Sequence, residues 1–404
     1  MSNEHPDVVH EHLPAQVLHL LIEKVTASSS TSVALLSGRA GQLLFLYQAA
    51  QLHTSQIDVN WLSAEISTLI ANAKTVLPDC SMAYGMAGIA WFYQYVLQDQ
   101  QESAEENAAV DNLFAQLLSV HKWQGEYEYI LGLAGYAPYL ARRTHTELGK
   151  KNALALIQHF SQLAAMAGGL ANWLTSHGSA FRMNKNSLAQ TEINLGLAHG
   201  NTGVLAALLT LSSDPAVADS AKPLLSAGCD WLVLQQQDAG LFGSYFANLS
   251  HLRSKSRLGW CYGDLTIALT LARAGRLLQR QTYTDFARMI ALHSACRDAV
   301  DAQIYDTGLC HGSSGLALIF RLLYRELHDP ELLTAAIRWQ DFYLQQFQQQ
   351  GLSALHKWIG DITPGDRRKR EEDVGLLEGY AGIGLSLLCG LGQEPDWVDA
   401  LLLG

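Results

Sequence analysis

The chain has 404 residues and a formal net charge of −11, which is the wrong sign for a general nucleic-acid-binding protein. Hydrophobic residues make up 49% and charged residues 16%, which excludes intrinsic disorder and predicts a large buried core. No apolar run reaches the roughly 18 residues of a membrane span, the polar N-terminus does not resemble a signal peptide, and six cysteines are too few for a disulfide framework. We therefore expect a cytoplasmic protein.

A motif of small residues, in most copies Gly-x-x-Gly, recurs seven times along the chain. The copies are SGRAG at Ser37–Gly41, YGMAG at Tyr84–Gly88, LGLAG at Leu131–Gly135, HGNTG at His199–Gly203, YGDLT at Tyr262–Thr266, HGSSG at His311–Gly315 and EGYAG at Glu378–Gly382. Their first glycines lie 47 to 68 residues apart. This spacing is typical of helix–turn–helix repeats with insertions.

An apolar stretch follows each motif and predicts a buried helix, as in VLAALLTLSS after Gly203. More polar stretches lie between the motifs, and Gln101–Val120 has the pattern of an amphipathic outer helix. The best strand candidate is Gly240–Leu249. We expect an all-α fold, an α/α toroid of seven inner and seven outer helices, forming one domain over residues 1–404 and a monomer. The first glycine of each motif is expected to adopt a positive φ, and the motif loops to converge at one end of the ring.

Two motifs carry residues that suit a metal. Cys261 and Cys310 each lie two residues before their motif's first glycine, so they should be neighbours in a ring, and His311 follows Cys310. Two thiolates and one imidazole with an open fourth position are typical of a catalytic zinc site. We therefore predict one Zn²⁺ bound by these three residues. The cysteines at positions 80, 229, 296 and 389 are interpreted as small buried hydrophobic residues.

The motifs GLAHG, WCYG, CHG and LLEGYAGIGL, in this order, resemble the lanthionine synthetase C-like (LanC) cyclase family. The resemblance implies a seven-fold double α-barrel with Cys261, Cys310 and His311 as zinc ligands. It also implies that His199 is the catalytic histidine and that Arg257 and Tyr262 are active-site residues. Glu128 stands where the family usually has Asp, so its role is open between catalysis and structure.

The activity that this resemblance implies is the closure of thioether rings, in which a peptide cysteine thiol adds to dehydroalanine or dehydrobutyrine. Zinc would deprotonate the thiol, Arg257 and Tyr262 would stabilise the enolate, and His199 would protonate the α-carbon. The implied partners are a dehydrated precursor peptide, a dehydratase and a transporter, with the protein peripheral to the membrane in such a complex. Two alternatives remain, a LanC-like protein that adds glutathione and a non-catalytic zinc- or peptide-binding adaptor.

The chain is acidic overall, but it contains two clusters of basic residues. The first contains Arg253, Lys255 and Arg257, and the second spans Arg367–Arg370. Each is either a solvated loop, which the following acidic residues favour for the second cluster, or a landing site for an anionic leader peptide or partner enzyme. The insertions Arg142–Asn194 and Ser212–Gly259 are long enough to border a peptide groove.

Overall fold

The computed structural model describes residues 6–52, 56–76, 79–97, 107–185, 189–359 and 369–404, and most of them are helical. Seven inner helices each begin within or directly after one glycine motif. In chain order, and numbered 1 to 7, they are Arg39–Gln51, Met86–Val96, Ala137–Arg143, Asn201–Leu211, Asp264–Leu278, Ser313–Leu327 and Tyr380–Gly390. The third is preceded by a 3₁₀ turn, Leu133–Tyr136.

Seven outer helices alternate with the inner ones. They are Val59–Val76, Ala108–Leu117, Glu147–Leu163, Pro215–Val233, Gln281–Ala295, Pro330–Gln350 and, against the seventh inner helix, the N-terminal helix Pro6–Thr26. Each inner helix packs on the next, and the seventh packs on the first. The described residues thus form a closed double ring, and the predicted α/α toroid is confirmed.

The burial of the helices follows from their sequences. Every residue of inner helix 4, Asn201–Leu211, is buried, because this helix is apolar nearly all round and packs on both neighbours and on the outer ring. The outer helix Gln281–Ala295 instead buries a single stripe that includes Tyr283, Ala287 and Ile290. The core therefore lies between and within the two rings.

Backbone hydrogen bonds join the seven motif loops into a circle. In each loop, the carbonyl of the residue two before the first glycine accepts an N–H from the preceding loop. The accepting residues are Leu36, Ala83, Ile130, Ala198, Cys261, Cys310 and Leu377, and the bonds are 2.7 to 3.4 Å long. Leu377 N–H closes the circle on the carbonyl of Leu36 at 2.9 Å. This circle gathers residues from distant repeats at one end of the ring, as predicted.

The predicted positive φ of the first glycines is wrong for six motifs, whose first glycines have a negative φ. Glycine is needed there for space, since a Cβ on Gly85 would lie 2.0 Å from the Asp79 carbonyl oxygen. Gly263 alone among them has a positive φ, 99°. The same motif has Thr266 in place of the second glycine, and Thr266 is buried.

None of the described strands lies within the predicted strand, Gly240–Leu249. Three antiparallel pairs are described: Ala165–Ala167 with Leu170–Asn172, Thr175–Ser176 with Thr191–Glu192, and Lys357–Ile359 with Lys369–Glu371. Within the strand candidate Gly240–Leu249, residues Ala239–Phe242 form a helical turn, and only Leu249 makes an isolated bridge, with Asn194. The aromatic residues of this segment are held by Asp264, whose carboxylate accepts the N–H groups of Tyr245 and Phe246. The amphipathic helix predicted over Gln101–Val120 is observed at Ala108–Leu117, and residues 98–106 lie outside the described residues.

The C-terminal 3₁₀ helix, Asp396–Leu401, packs on inner helices 2 and 3 and buries Trp397, Val398, Ala400 and Leu401. The Trp260 indole donates to the carbonyl of Leu401 at 2.9 Å, and the Tyr129 hydroxyl donates to that of Ala400. Trp260 precedes Cys261 and Tyr129 follows Glu128, so these hydrogen bonds link the C-terminal segment to the third and fifth motif loops. In the described part of the chain, no helix has the length and apolarity to cross a membrane.

Candidate active site

The fifth and sixth motif loops bring two cysteines and one histidine together. The N–H groups of Trp260 and Cys261 both donate to the Cys310 carbonyl, at 2.7 and 3.4 Å, which holds the two loops side by side. One ligand atom from each of Cys261, Cys310 and His311 lies within 4.8 Å of the other two. The three side chains thus lie next to one another, as the repeat spacing predicts for residues at equivalent positions.

Asp306 holds His311 from behind. The Asp306 Oδ2 lies 3.3 Å from His311 Nε2, and this ion pair fixes the orientation of the imidazole. Burial alone would lower the pKa of His311, but the Asp306 carboxylate and the Cys261 thiolate outweigh it and raise this pKa to about 10. A carboxylate paired with the outer nitrogen of a ligand histidine is a common feature of zinc sites.

The two thiols form an unequal pair. A hydrogen bond from the Cys310 thiol, aided by His311 and Arg257, lowers the pKa of Cys261 well below its usual value despite burial. The same hydrogen bond, together with burial, raises the pKa of the donor Cys310. Of the two sulfurs, Cys261 therefore loses its proton more readily than Cys310.

A second group of side chains comes from the third and fourth motif loops. The Glu128 Oε2 lies 2.8 Å from His199 Nδ1, and the buried Glu128 carboxylate also accepts the N–H groups of Ile130 and Leu131, at 2.9 and 2.6 Å. The ring of Phe181 stacks on that of His199, with centroids 4.2 Å apart and planes inclined by 13°. His199 is therefore fixed at its Nδ1 edge and on one face.

Tyr262 joins the two groups, since it follows Cys261 directly and its ring centroid lies 6.3 Å from that of His199. The Asn194 side-chain amide donates to the Tyr262 hydroxyl at 2.9 Å. Burial raises the pKa of Tyr262, so the phenol keeps its proton and can donate it. Arg257, four residues before Cys261, lies close enough to lower the pKa of that thiol.

All seven residues predicted for the site thus lie in four neighbouring motif loops. Sequence reasoning missed Asp306, Asn194 and Phe181. The repeat register could have found the first two, because each motif has a polar residue six before its first glycine. These residues are Ser32, Asp79, Glu126, Asn194, Arg257, Asp306 and Asp373. Phe181 lies in an insertion without repeats, and the sequence gives no signal for it.

The remaining cysteines and the two basic clusters lie in different kinds of surroundings. Cys229 is buried as expected, whereas Cys296 is exposed. In the first cluster, Lys255 pairs with Asp301, and Arg253 donates to nearby backbone carbonyls. In the second, Arg367 and Arg368 lie outside the described residues, and Arg370 lies over the Trp358 ring at 4.7 Å.

Comparison with known proteins shows the family to which the chain belongs. The family model described as lanthionine synthetase C-like protein matches residues 29–403. The chain belongs to this family. A curated relative, nisin biosynthesis protein NisC of Lactococcus lactis subsp. lactis, is 24% identical over 378 residues, which cover 87% of this chain and 83% of NisC. The solved structure of a nisin cyclase matches with a TM-score of 0.67 at 19% identity, and the match covers 97% of each chain.

Membership in the lanthionine synthetase C-like family confirms the resemblance carried by GLAHG, WCYG, CHG and LLEGYAGIGL. The structural match independently supports the toroid, since it extends over nearly the whole chain.

Proposed function

We propose that this protein is a zinc-dependent peptide cyclase, which adds cysteine thiolates of a dehydrated peptide to dehydroalanine or dehydrobutyrine within the same peptide. The observation that carries the proposal is the position of the Cys261–Cys310–His311 cluster beside the Glu128–His199 pair, with Tyr262 between them. A site for thiol addition needs a group that activates the thiol and a separate group that donates a proton. These two clusters supply both.

The residues present fit a zinc ion. Zn–S bonds of about 2.3 Å in tetrahedral geometry place ligand atoms roughly 3.5 to 4 Å apart, and the three candidate atoms lie within 4.8 Å of one another. Among the described residues, no fourth Cys, His, Asp or Glu belongs to this group, which leaves room for a substrate thiol. When bound, zinc would lower the pKa of that thiol and hold it as a thiolate.

The chain's own residues would handle the charge and the proton that follow. Addition of the thiolate to the β-carbon moves negative charge onto the carbonyl oxygen of the dehydro residue, so hydrogen-bond donors are needed there. The protonated Tyr262 hydroxyl and the Arg257 guanidinium supply them. His199 would then donate its Nε2 proton to the α-carbon, while Glu128 holds Nδ1 and stabilises the imidazolium before transfer.

A dehydrated model peptide that contains one free cysteine tests the proposal. Incubation with the zinc-loaded protein should remove the free thiol with no change in peptide mass, because ring closure is an isomerisation. Alkylation followed by mass spectrometry measures this loss. His199→Asn should retain zinc and lose roughly 10²- to 10⁴-fold in rate.

The same experiment separates the alternatives when it is repeated with glutathione present. A product heavier by one glutathione would overturn cyclisation in favour of an intermolecular addition. Binding of the peptide with no loss of thiol would indicate an adaptor. If His199→Asn cyclises at the wild-type rate, the proton donor is another group, and Tyr262 is the first candidate.

A further inference from the structure

Phe181 contacts the site from outside the repeat framework. It lies between the strands Thr175–Ser176 and Thr191–Glu192, in the insertion that separates the third and fourth motifs. Its ring stacks on the imidazole of His199 with a 4.2 Å centroid separation and an inclination of 13°. The insertion therefore reaches back over the motif loops and covers one face of His199.

The backbone on the N-terminal side of Phe181 is tied to the third repeat. Phe181 N–H donates to the Ser179 hydroxyl at 3.2 Å, and that hydroxyl donates to the Glu126 carboxylate at 2.9 Å. Glu126 lies two residues before Glu128, the partner of His199. Phe181 and the Glu128 carboxylate are thus positioned from the same loop.

The backbone on the C-terminal side is tied to the fourth repeat. The N–H groups of Met183 and Asn184 donate to the carboxylate of Glu192, at 2.7 and 3.1 Å, and Glu192 is buried. Glu192 precedes the fourth motif, which contains His199. With both flanks anchored, the Phe181 ring has a defined place, and its stacking on His199 follows from the local fold.

These contacts restrict the imidazole in the two ways that matter for proton transfer. Glu128 fixes the rotation of the ring at Nδ1, and Phe181 fixes the plane of the ring and keeps water from that face. The ring of Tyr262 is inclined to that of His199 by 46°, and the two ring centroids lie 6.3 Å apart. The contacts with Glu128 and Phe181 together fix the direction in which Nε2 points.

We propose that Phe181 is a positioning residue that makes His199 deliver its proton to a single face of the α-carbon. This inference rests on the proposed cyclase function. In the step, the Nε2–H bond breaks, the enolate electron pair forms the new Cα–H bond, the carbonyl is restored, and the imidazolium becomes a neutral imidazole. Phe181 touches neither the proton nor the substrate carbon. It determines the configuration of the ring through the orientation of His199.

The first test examines the stacking in the absence of substrate. In protein labelled with ¹³C-histidine, the His199 ring protons should resonate upfield because they lie over the face of Phe181. His199→Asn assigns the signal. Phe181→Leu should remove the upfield shift, Phe181→Tyr should keep it, and Met183→Leu, a change in the same loop, should leave it unchanged. A His199 signal that does not respond to Phe181→Leu overturns the inference.

The second test examines the consequence for the product. With a model dehydrated peptide, Phe181→Leu should lose about 10- to 100-fold in kcat at unchanged KM and zinc content, the range expected when a reacting group is misplaced. Its rings should contain both configurations at the α-carbon, whereas Phe181→Tyr and Met183→Leu should give one configuration at the wild-type rate.

The two proposals fail in different ways. If the wild-type protein cyclises the peptide and Phe181→Leu gives the same rate and a single configuration, the positioning role is wrong and the cyclase function stands. If the wild-type protein leaves the peptide open, the cyclase function is wrong, and the positioning role falls with it.

Discussion

Glu128 and His199 come from different repeats and share a hydrogen bond of 2.8 Å between Oε2 and Nδ1. The Glu128 carboxylate cannot easily turn away, because it also accepts two backbone N–H groups of its own loop. The longer side chain at a position where the family usually has Asp still reaches the histidine. This geometry favours a functional role for Glu128, which the sequence left open.

Replacing Glu128 by Gln tests that role. The amide keeps nearly the same shape but carries no charge, so it no longer stabilises an imidazolium at His199. We expect a loss of roughly 10²- to 10⁴-fold in the cyclisation rate, with zinc content unchanged. Single-turnover assays on a dehydrated peptide measure the rate, and Glu147→Gln, at an exposed acid on an outer helix, serves as control. A rate within twofold of wild type would assign Glu128 to loop structure alone.

Removal of a cysteine of the cluster should remove the metal. We expect the purified protein to contain one zinc per chain, and Cys310→Ala to contain little, because two remaining protein ligands bind zinc weakly. Elemental analysis after dialysis measures the content. Cys296→Ala changes an exposed cysteine outside the cluster and should retain the full zinc content. Equal zinc in both variants would show that the metal binds elsewhere.

Asp306→Asn tests the support behind His311. The amide cannot replace the carboxylate that fixes the imidazole through Nε2, so we expect zinc affinity to fall about 10- to 100-fold while the fold is kept. Competition with a chromophoric chelator gives the affinity. Asp79→Asn changes the equivalent position of the second repeat and should leave the zinc affinity unchanged. If both variants bind zinc as wild type does, Asp306 has no part in holding the metal.

Asp264 should make the stability of the protein depend on pH. Burial raises the pKa of Asp264 to about 6, although two backbone N–H groups and Arg297 oppose the shift. Its unfolded value is near 3.8, so between about pH 4 and pH 6 the folded state binds the additional proton, and the contribution of Asp264 to stability falls as the pH rises. The difference in unfolding free energy between wild type and Asp264→Asn should decrease over this window. A difference that is constant with pH would contradict the shift.

The repeat register explains which parts of the site could be predicted from the sequence. Cys261 and Cys310 occupy equivalent positions in adjacent repeats, and a closed ring makes equivalent positions neighbours, so the proximity of the two cysteines follows from the repeat spacing. Asp306 and Asn194 follow the same register six residues before their glycines. Phe181 does not, because its place depends on how an irregular insertion folds back on the ring.

The errors in the sequence analysis have a similar origin. The aromatic content of Gly240–Leu249 favoured a strand, but Tyr245 and Phe246 are held by the single carboxylate of Asp264, a long-range contact that no local pattern shows. The first glycines were expected to supply an unusual φ, whereas six of them supply space for a neighbouring carbonyl. Secondary-structure propensities of single residues do not show such a steric contact between residues six apart in the sequence.

The hydrogen bond from Leu377 to Leu36 places the beginning and the end of the chain in one structural unit. During synthesis, the first inner helix emerges long before the seventh inner helix, which packs against it. The N-terminal helix also packs on the seventh inner helix, so it too is made long before this partner. The early repeats therefore leave the ribosome with apolar surface exposed, and the circle closes only after the last loop has been made. Folding is slow when the contacting residues are far apart in the sequence. Aggregation therefore competes with folding at the stage of the incomplete ring.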